Sequence, residues 1–166
     1  LGIFHAPAVT GASTQEQTAM PTSNSIDVVY ETCLLLVAHF RNLNQHGKSD
    51  VHTRIFSHML HPEEKFVYAG KSEKVGTDTP THPEHVVPCK KLIEECQGLI
   101  GEGKHSDEQI ASLLQKHWKV ATITKAEQKH LDYHLGYKSS MPVGWTFESG
   151  DTFERFKLAG IVLLSL

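Results

Sequence analysis

The chain has 166 residues, with 16 Lys and Arg against 19 Asp and Glu, and its formal net charge is −3. This length suits one domain, and a hydrophobic fraction of 39% with a charged fraction of 21% excludes a disordered or fibrous protein. The charge balance also excludes a global positive field, so any site for nucleic acid has to be local.

The cysteines and the hydropathy pattern indicate in which cellular compartment the protein is expected. Cys33, Cys89 and Cys96 form no CxxC pair, which argues against a disulfide framework and against a structural zinc cluster. No segment approaches the roughly 18 uninterrupted apolar residues of a membrane span, and the start lacks the basic and apolar regions of a signal peptide. We therefore expect a cytoplasmic protein with reduced thiols and no membrane partner.

The composition divides the chain near residue 23. Residues 1–23 are rich in Ala, Thr, Ser, Gln and Pro without periodicity, which is typical of a flexible arm or leader. Residues 24–166 contain all the periodic segments, and we assign them to a single α+β domain. Internal repeats are absent from the sequence, so one compact unit is expected.

The N-terminal half is predicted to be helical. From Ser25 to Asn44 apolar residues recur at intervals of three and four, with Asn24 or Ser25 as the N-cap. Gly47 ends this helix, and a second helix is predicted from Ser49 to His61. Two antiparallel helices are therefore expected before the first strand.

A small antiparallel sheet is predicted to follow. Its strands are expected at Lys65–Gly70, Glu84–Pro88 and Val120–Ile123, where β-branched and aromatic residues lie between turn residues. The N-terminal helices would pack over this sheet and the later helices would cover it.

The later helices have clear start signals. Capping boxes are predicted at Ser106 with Gln109 and at Thr124 with Glu127, and Pro88 precedes a further helix. A short amphipathic helix is predicted to follow Asp151, which would be its N-cap. Arg155 lies on this helix and is expected to form a surface ion pair with Glu154.

The segment THPEHVVPC holds the densest group of chemically useful side chains. In an extended backbone, residues two apart share a face, so His82 and Glu84 would point to one side and His85 to the other. Pro83 stiffens the entry to this segment, which favours a fixed site.

The segments VYAGKSEK and PEHVVPCKKL resemble the core of HNH, or ββα-metal, nucleases over about residues 66–92. The resemblance implies a hairpin with a ββα-metal-like core, in which Glu84 is a metal ligand and His85 the general base. A divalent ion would stabilise the phosphorane charge while neutral His85 deprotonates water.

The resemblance also implies a further ligand on a later helix. His105, His117 and His130 are the candidates, and we favour His130 because ITKAEQKHLD is similar to the helix opening of some bacterial toxin nucleases. The chain departs from that pattern at Gln128, and it lacks the paired CxxC knuckle of many HNH proteins. The expected cofactor is Mg²⁺, Mn²⁺ or Zn²⁺, held by Glu84, His130 and His82.

Basic residues flank this segment. Lys71, Lys90 and Lys91 are predicted to contact phosphates, with nucleic acid as the partner. The resulting hypothesis is metal-dependent phosphodiester hydrolysis by an HNH-like endonuclease.

Two other functions stay open. The first is a non-catalytic, protein-binding or regulatory module on a related scaffold, which would bind its partner through the apolar stripe of the helix from Ser25 to Asn44. The second is a cysteine-dependent hydrolase, ranked behind the others, in which Cys89 at a helix N-terminus lies beside His85.

Overall fold

The protein is α+β. A computed structural model describes Gly2 and residues 24–164, with side chains of the first helix described from Val28 onward. The helices are α1 Asn24–Gln45, α2 Ile55–Met59, α3 Glu64–Val67, α4 Cys89–Glu102, α5 Asp107–His117, α6 Lys125–Lys129 and α7 Glu154–Leu158, with a π-helical segment at His130–His134. The strands are β1 Tyr68–Ser72, β2 Thr81–His85, β3 Val120–Thr124 and β4 Leu163–Leu164.

The four strands form a mixed sheet in the order β2-β3-β1-β4. β2 pairs with β3, and β4 with β1, in antiparallel fashion, whereas β1 and β3 are parallel. The expectation of an entirely antiparallel sheet is therefore wrong. Because α4 and α5 lie between β1 and β3 along the chain, the connection is long enough for the crossover that parallel strands require. β3 also separates β1 from β2, so these two strands do not form the hairpin that the resemblance implies.

The predicted boundaries shift around Pro62. The helix predicted from Ser49 to His61 is shorter in the structure, where only α2 is helical. The strand predicted at Lys65–Gly70 begins at Tyr68, because the residues before Tyr68 form α3. Proline disfavours helical backbone in the residue before it, which explains the break between α2 and α3. The strand expected at Glu84–Pro88 also lies earlier, as β2.

The local capping signals were more accurate than the strand boundaries. Both capping boxes are confirmed, at Ser106 with Gln109 and at Thr124 with Glu127. The N-cap of α7 is Phe153 rather than the predicted Asp151. The Asp151 carboxylate nevertheless accepts a hydrogen bond from the Phe153 backbone N–H at 2.8 Å. The side chains of the predicted caps Asn24 and Ser25 lie outside those described. The predicted arm, residues 1–23, lies outside the described residues apart from Gly2.

Buried apolar residues cover both faces of the sheet. On one face α1 packs against α4 and α5, and Val120 joins their cluster. On the other face Ala121 and Ile123 contact Leu131 and Phe156. The apolar stripe of α1 is at most 4% exposed from Val29 to Phe40 (Val29, Cys33, Leu36, Val37 and Phe40). This stripe therefore packs into the protein's own core, which removes the feature that suggested a partner-binding face.

A search of the described helices for a membrane span finds none of sufficient length and apolar character.

Candidate active site

The end of β2 and the start of α4 place two reactive side chains next to each other. His85 ends β2, and Cys89 is the first residue of the 14-residue helix α4. Between them Val86 and Val87 are completely buried, so the connection is anchored in the core. Pro88 is the N-cap of α4 and supplies no side-chain cap. The first backbone N–H groups of α4 therefore have no acceptor within the helix and no capping side chain.

A buried carboxylate holds the His85 ring. His85 Nε2 lies 2.8 Å from Glu63 Oε1, and Glu63 is only 8% exposed. The same oxygen accepts the indole N–H of Trp118 at 2.8 Å. Trp118 is itself fully buried and packs edge-on against the Phe56 ring, with centroids 5.0 Å apart. The carboxylate is thus fixed by a rigid donor, and it fixes the imidazole in turn.

The pKa of His85 is strongly shifted. Burial alone lowers it, but a side-chain hydrogen bond with Cys89, another with Glu63 and the charges of both groups raise the pKa of His85 to about 10. The imidazole is therefore protonated at neutral pH. A protonated imidazole differs from the neutral general base that the nuclease resemblance implies.

These residues line a cavity of about 470 Å³, here called the β2–α4 cavity. Its lining includes Glu63, His82, Glu84, His85 and Cys89. The exposed cations Arg54, Lys90 and Lys138 also line it. The structure thus brings His82, Glu84 and His85 to one cavity, whereas the alternation of an extended backbone was expected to point His85 away from the other two.

Glu84 has a different environment from His85. Its Oε1 lies 2.5 Å from a terminal nitrogen of Arg155, and its Oε2 lies 3.3 Å from His82 Nε2. Arg155 is fully buried, so the expectation that it forms a surface ion pair is wrong. A divalent ion at Glu84 would stand close to this fixed positive charge, which opposes the binding of a cation.

Arg155 binds the backbone as well as Glu84. Its guanidinium donates to the carbonyls of Val86 and Tyr137, both at 2.8 Å, and to the carbonyl of His85. Every donor nitrogen of the side chain is therefore used, and the end of β2 is tied to α7 and to the segment after the π-helical turn.

The expected metal ligands do not converge. Among residues 24–164, no group of three or more His, Cys, Asp or Glu side chains is arranged to hold a metal ion. His130 does not line the β2–α4 cavity, and its Nδ1 lies 3.3 Å from Nδ1 of His134. His82 lies beside Glu84 but also 3.5 Å from Lys125 Nζ.

The two other histidines considered as ligands have partners of their own. His105 Nε2 lies 2.9 Å from a Glu148 carboxylate oxygen. His117 is fully buried and lies 2.7 Å from the Phe147 carbonyl and 2.9 Å from the Thr152 hydroxyl. Neither contributes to the β2–α4 cavity.

The three lysines predicted to contact phosphate have different positions relative to the β2–α4 cavity. Lys90 lines the cavity, whereas Lys91 forms an ion pair with Glu95 at 2.5 Å, one turn along α4. Lys71 is exposed on β1 and is not part of the cavity lining. Only Lys90 of the three is therefore placed to contact a ligand in this cavity.

Glu63, Trp118 and Arg155 are site residues that sequence reasoning missed. Glu63 lies 22 residues before His85, and Arg155 lies 71 residues after Glu84. No local pattern joins such distant positions. The only available signal was the Glu63 carboxylate directly after Pro62, which is too common to identify a site.

Comparison of the chain with protein-family models, with curated proteins and with solved structures gives no match. The case for an activity therefore depends on the geometry of the residues themselves.

Proposed function

We propose that the β2–α4 cavity is the active site of a thiol-dependent hydrolase, with Cys89 as the nucleophile, His85 as its acid and base, and Glu63 as the group that orients His85. The observation that carries this proposal is the chain of hydrogen bonds from Trp118 through Glu63 to His85, which lines one cavity together with Cys89. A nucleophile, a base in contact with it and a third group that orients the base form the arrangement on which covalent catalysis depends.

The first half of the proposed reaction forms a thioester. The Cys89 thiolate attacks the carbonyl carbon of an ester, thioester or amide, and the carbonyl oxygen becomes an oxyanion. The free N–H groups at the start of α4 are suited to bind that oxyanion. The tetrahedral intermediate then collapses, the bond to the leaving group breaks, and the leaving group takes a proton from His85.

The second half releases the acid. Neutral His85 now takes a proton from water, and the hydroxide attacks the thioester carbonyl. The bond to sulfur breaks, the carboxylic acid product leaves, and Cys89 is again a thiolate beside protonated His85. Glu63 keeps the imidazole oriented and stabilises its positive form in both halves.

Alkylation with iodoacetamide tests this function without a known substrate. Cys33 and Cys96 are both 0% exposed and Cys89 is half-buried, so Cys89 is the thiol that the reagent reaches in folded protein. An ordinary thiol is only about 1% thiolate at pH 6.5. We expect His85→Gln to slow alkylation of Cys89 at this pH by about tenfold, because the variant loses the imidazole that the proposed mechanism pairs with the thiol.

The matched control is His82→Gln, which removes a neighbouring imidazole from the same cavity. Peptide mapping by mass spectrometry identifies the modified cysteine, and circular dichroism checks the fold. Equal rates in wild type and His85→Gln, or a Cys89 that stays unmodified in folded protein, would count against the thiol hydrolase.

A metal-dependent nuclease is the second candidate. β2 and β3 pair in antiparallel fashion and α6 follows β3 directly, so two paired strands lie beside a helix, although α4 and α5 separate the strands along the chain. The cations around the cavity would suit a phosphodiester. In this proposal His82 and Glu84 hold the ion and His85 activates water, whereas the contact between Glu84 and Arg155 opposes it.

Cleavage of plasmid DNA and of a structured RNA in Mg²⁺, Mn²⁺ or Zn²⁺ separates the two candidates. The nuclease predicts metal-dependent cleavage that is lost in His85→Ala and retained in Cys89→Ser. The thiol hydrolase predicts no such cleavage, and it predicts that Cys89→Ser abolishes hydrolysis of activated esters.

A further inference from the structure

The cations of the β2–α4 cavity are not neutralised by its carboxylates. Glu63 is engaged by His85 and Trp118, and Glu84 by Arg155. In the described part of the chain, no ion pair joins the side chain of Arg54 or Lys138 to a carboxylate. The carboxylate paired with Lys90, that of Glu94, is exposed and lies 3.8 Å away. The cavity therefore presents positive charge without an internal counter-charge.

These cations come from three separate parts of the fold. Arg54 directly precedes α2, Lys90 lies in the first turn of α4, and Lys138 follows the π-helical segment. The segment with Lys138 is held beside the cavity because the Tyr137 carbonyl accepts a hydrogen bond from Arg155. The same guanidinium binds the carbonyl of His85, so the position of Lys138 is coupled to that of the reactive imidazole.

Neutral donors lie among the cations. Thr53, next to Arg54, and Ser139, next to Lys138, bring hydroxyl groups to the same lining. The uncapped start of α4 adds backbone N–H groups and the positive end of a helix dipole. Cations and hydrogen-bond donors around one opening are the complement of a carboxylate or phosphate group.

We propose that the substrate is an anionic acyl compound, which carries a carboxylate or phosphate group bound by Arg54, Lys90 and Lys138 while Cys89 attacks its carbonyl carbon. This inference rests on the proposed thiol hydrolase and specifies the substrate class. Positive charge around the opening would also raise the local concentration of such a substrate.

Two alkylating reagents of different charge test the inference directly. Iodoacetate and iodoacetamide both alkylate sulfur through a methylene carbon, but only iodoacetate carries a carboxylate. The measured quantity is the ratio of their rate constants at Cys89. We expect Arg54→Gln and Lys138→Gln each to lower this ratio by about two- to fivefold, which is the range for exposed charge pairs.

Lys129→Gln is the matched control, because it removes one exposed cation that is not part of the cavity lining. The ratio should also fall between 0.1 M and 1 M salt, since the screening length shortens from about 10 Å to about 3 Å. If Arg54→Gln and Lys138→Gln have the same ratio as the control Lys129→Gln, anion recognition is overturned, while the proposed thiol site is not. A wild-type Cys89 that reacts with both reagents no faster than an ordinary thiol would instead overturn the proposed function, and the inference with it.

Protection experiments identify the anion. Succinate and inorganic phosphate are tested separately for their ability to slow iodoacetamide at Cys89. Protection by succinate assigns a carboxylate substrate, protection by phosphate assigns a phosphorylated one, and protection by neither overturns the inference. The Arg54→Gln/Lys138→Gln double variant should lose the protection that wild type shows.

Discussion

Glu84 and His85 are adjacent in the sequence but belong to two different networks. Glu84 contacts Arg155, which is fully buried and donates from each of its side-chain nitrogens to protein groups. The His85 side chain is 28% exposed, contacts Glu63 and lines the β2–α4 cavity together with Cys89. One network is closed and the other can accept a ligand. Two adjacent residues of one signature can therefore differ, one being part of the buried scaffold and the other lining an open cavity.

The largest effect is expected from Arg155→Met, which breaks the closed network. The change leaves the Glu84 carboxylate, only 12% exposed, without its cation and several backbone carbonyls without a donor. Loss of one partner from a buried pair costs about 3–5 kcal/mol of unfolding free energy. Urea denaturation at neutral pH measures this loss.

Adding Glu84→Gln to Arg155→Met provides the control, because it removes the stranded charge. The double variant should regain part of the lost stability. A loss below about 1 kcal/mol in Arg155→Met would show that the guanidinium does not hold this region together.

A smaller effect is expected in the open network from Glu63→Gln. The raised pKa of His85 stabilises the folded protein fully below about pH 6.5, and this contribution is lost as the pH rises through about 10. Without the Glu63 charge that pH dependence should weaken. At neutral pH the lost charged hydrogen bond should cost about 1.5–3 kcal/mol. Unfolding free energies at pH 6.5, 8 and 10 test both statements, and an unchanged slope above pH 7 would contradict the assigned role of Glu63.

The smallest effect concerns His117, an imidazole with neutral partners. Burial lowers its pKa, and its hydrogen bond to the Phe147 carbonyl offsets only part of that shift. A lowered pKa stabilises the protein above about pH 6.5, and this contribution is lost as the pH falls below that value. The sign is opposite to that for His85. We expect His117→Gln to flatten the stability profile between pH 5 and 6.5, as measured by thermal unfolding, and a slope equal to that of wild type would contradict this role of His117.

Local signals in the sequence predicted the capped starts of two helices well and the pairing of the strands poorly. The capping boxes at Ser106 and Thr124 involve residues three positions apart, so a short window contains all the information. The parallel pairing of Tyr68 with Val120 depends on how α4 and α5 return the chain to the sheet. No periodicity within either strand specifies that partner.

The candidate site shows the same division. His85 was proposed from the sequence as a site residue, and Cys89 was named in the last-ranked alternative, because both lie in one short segment of unusual composition. Glu63 and Arg155 reach the segment from distant positions, and only the packed fold shows that they meet there. Arg155 was misplaced for a physical reason: an arginine on an amphipathic helix is normally solvated, and complete burial requires a full set of acceptors that a sequence does not reveal.

The short connection between His85 and Cys89 also limits how this protein can vary in length. Val86 and Val87 are both 0% exposed, so neither can be displaced outward to make room for another residue. One residue inserted before α4 would therefore have to shift the start of the helix, and Cys89 with it, relative to His85. The thiol would then leave the imidazole while the core stayed occupied. Relatives that retain the reactive pair should therefore keep this spacing fixed, and the exposed residues between β1 and β2 are where insertions and deletions should accumulate.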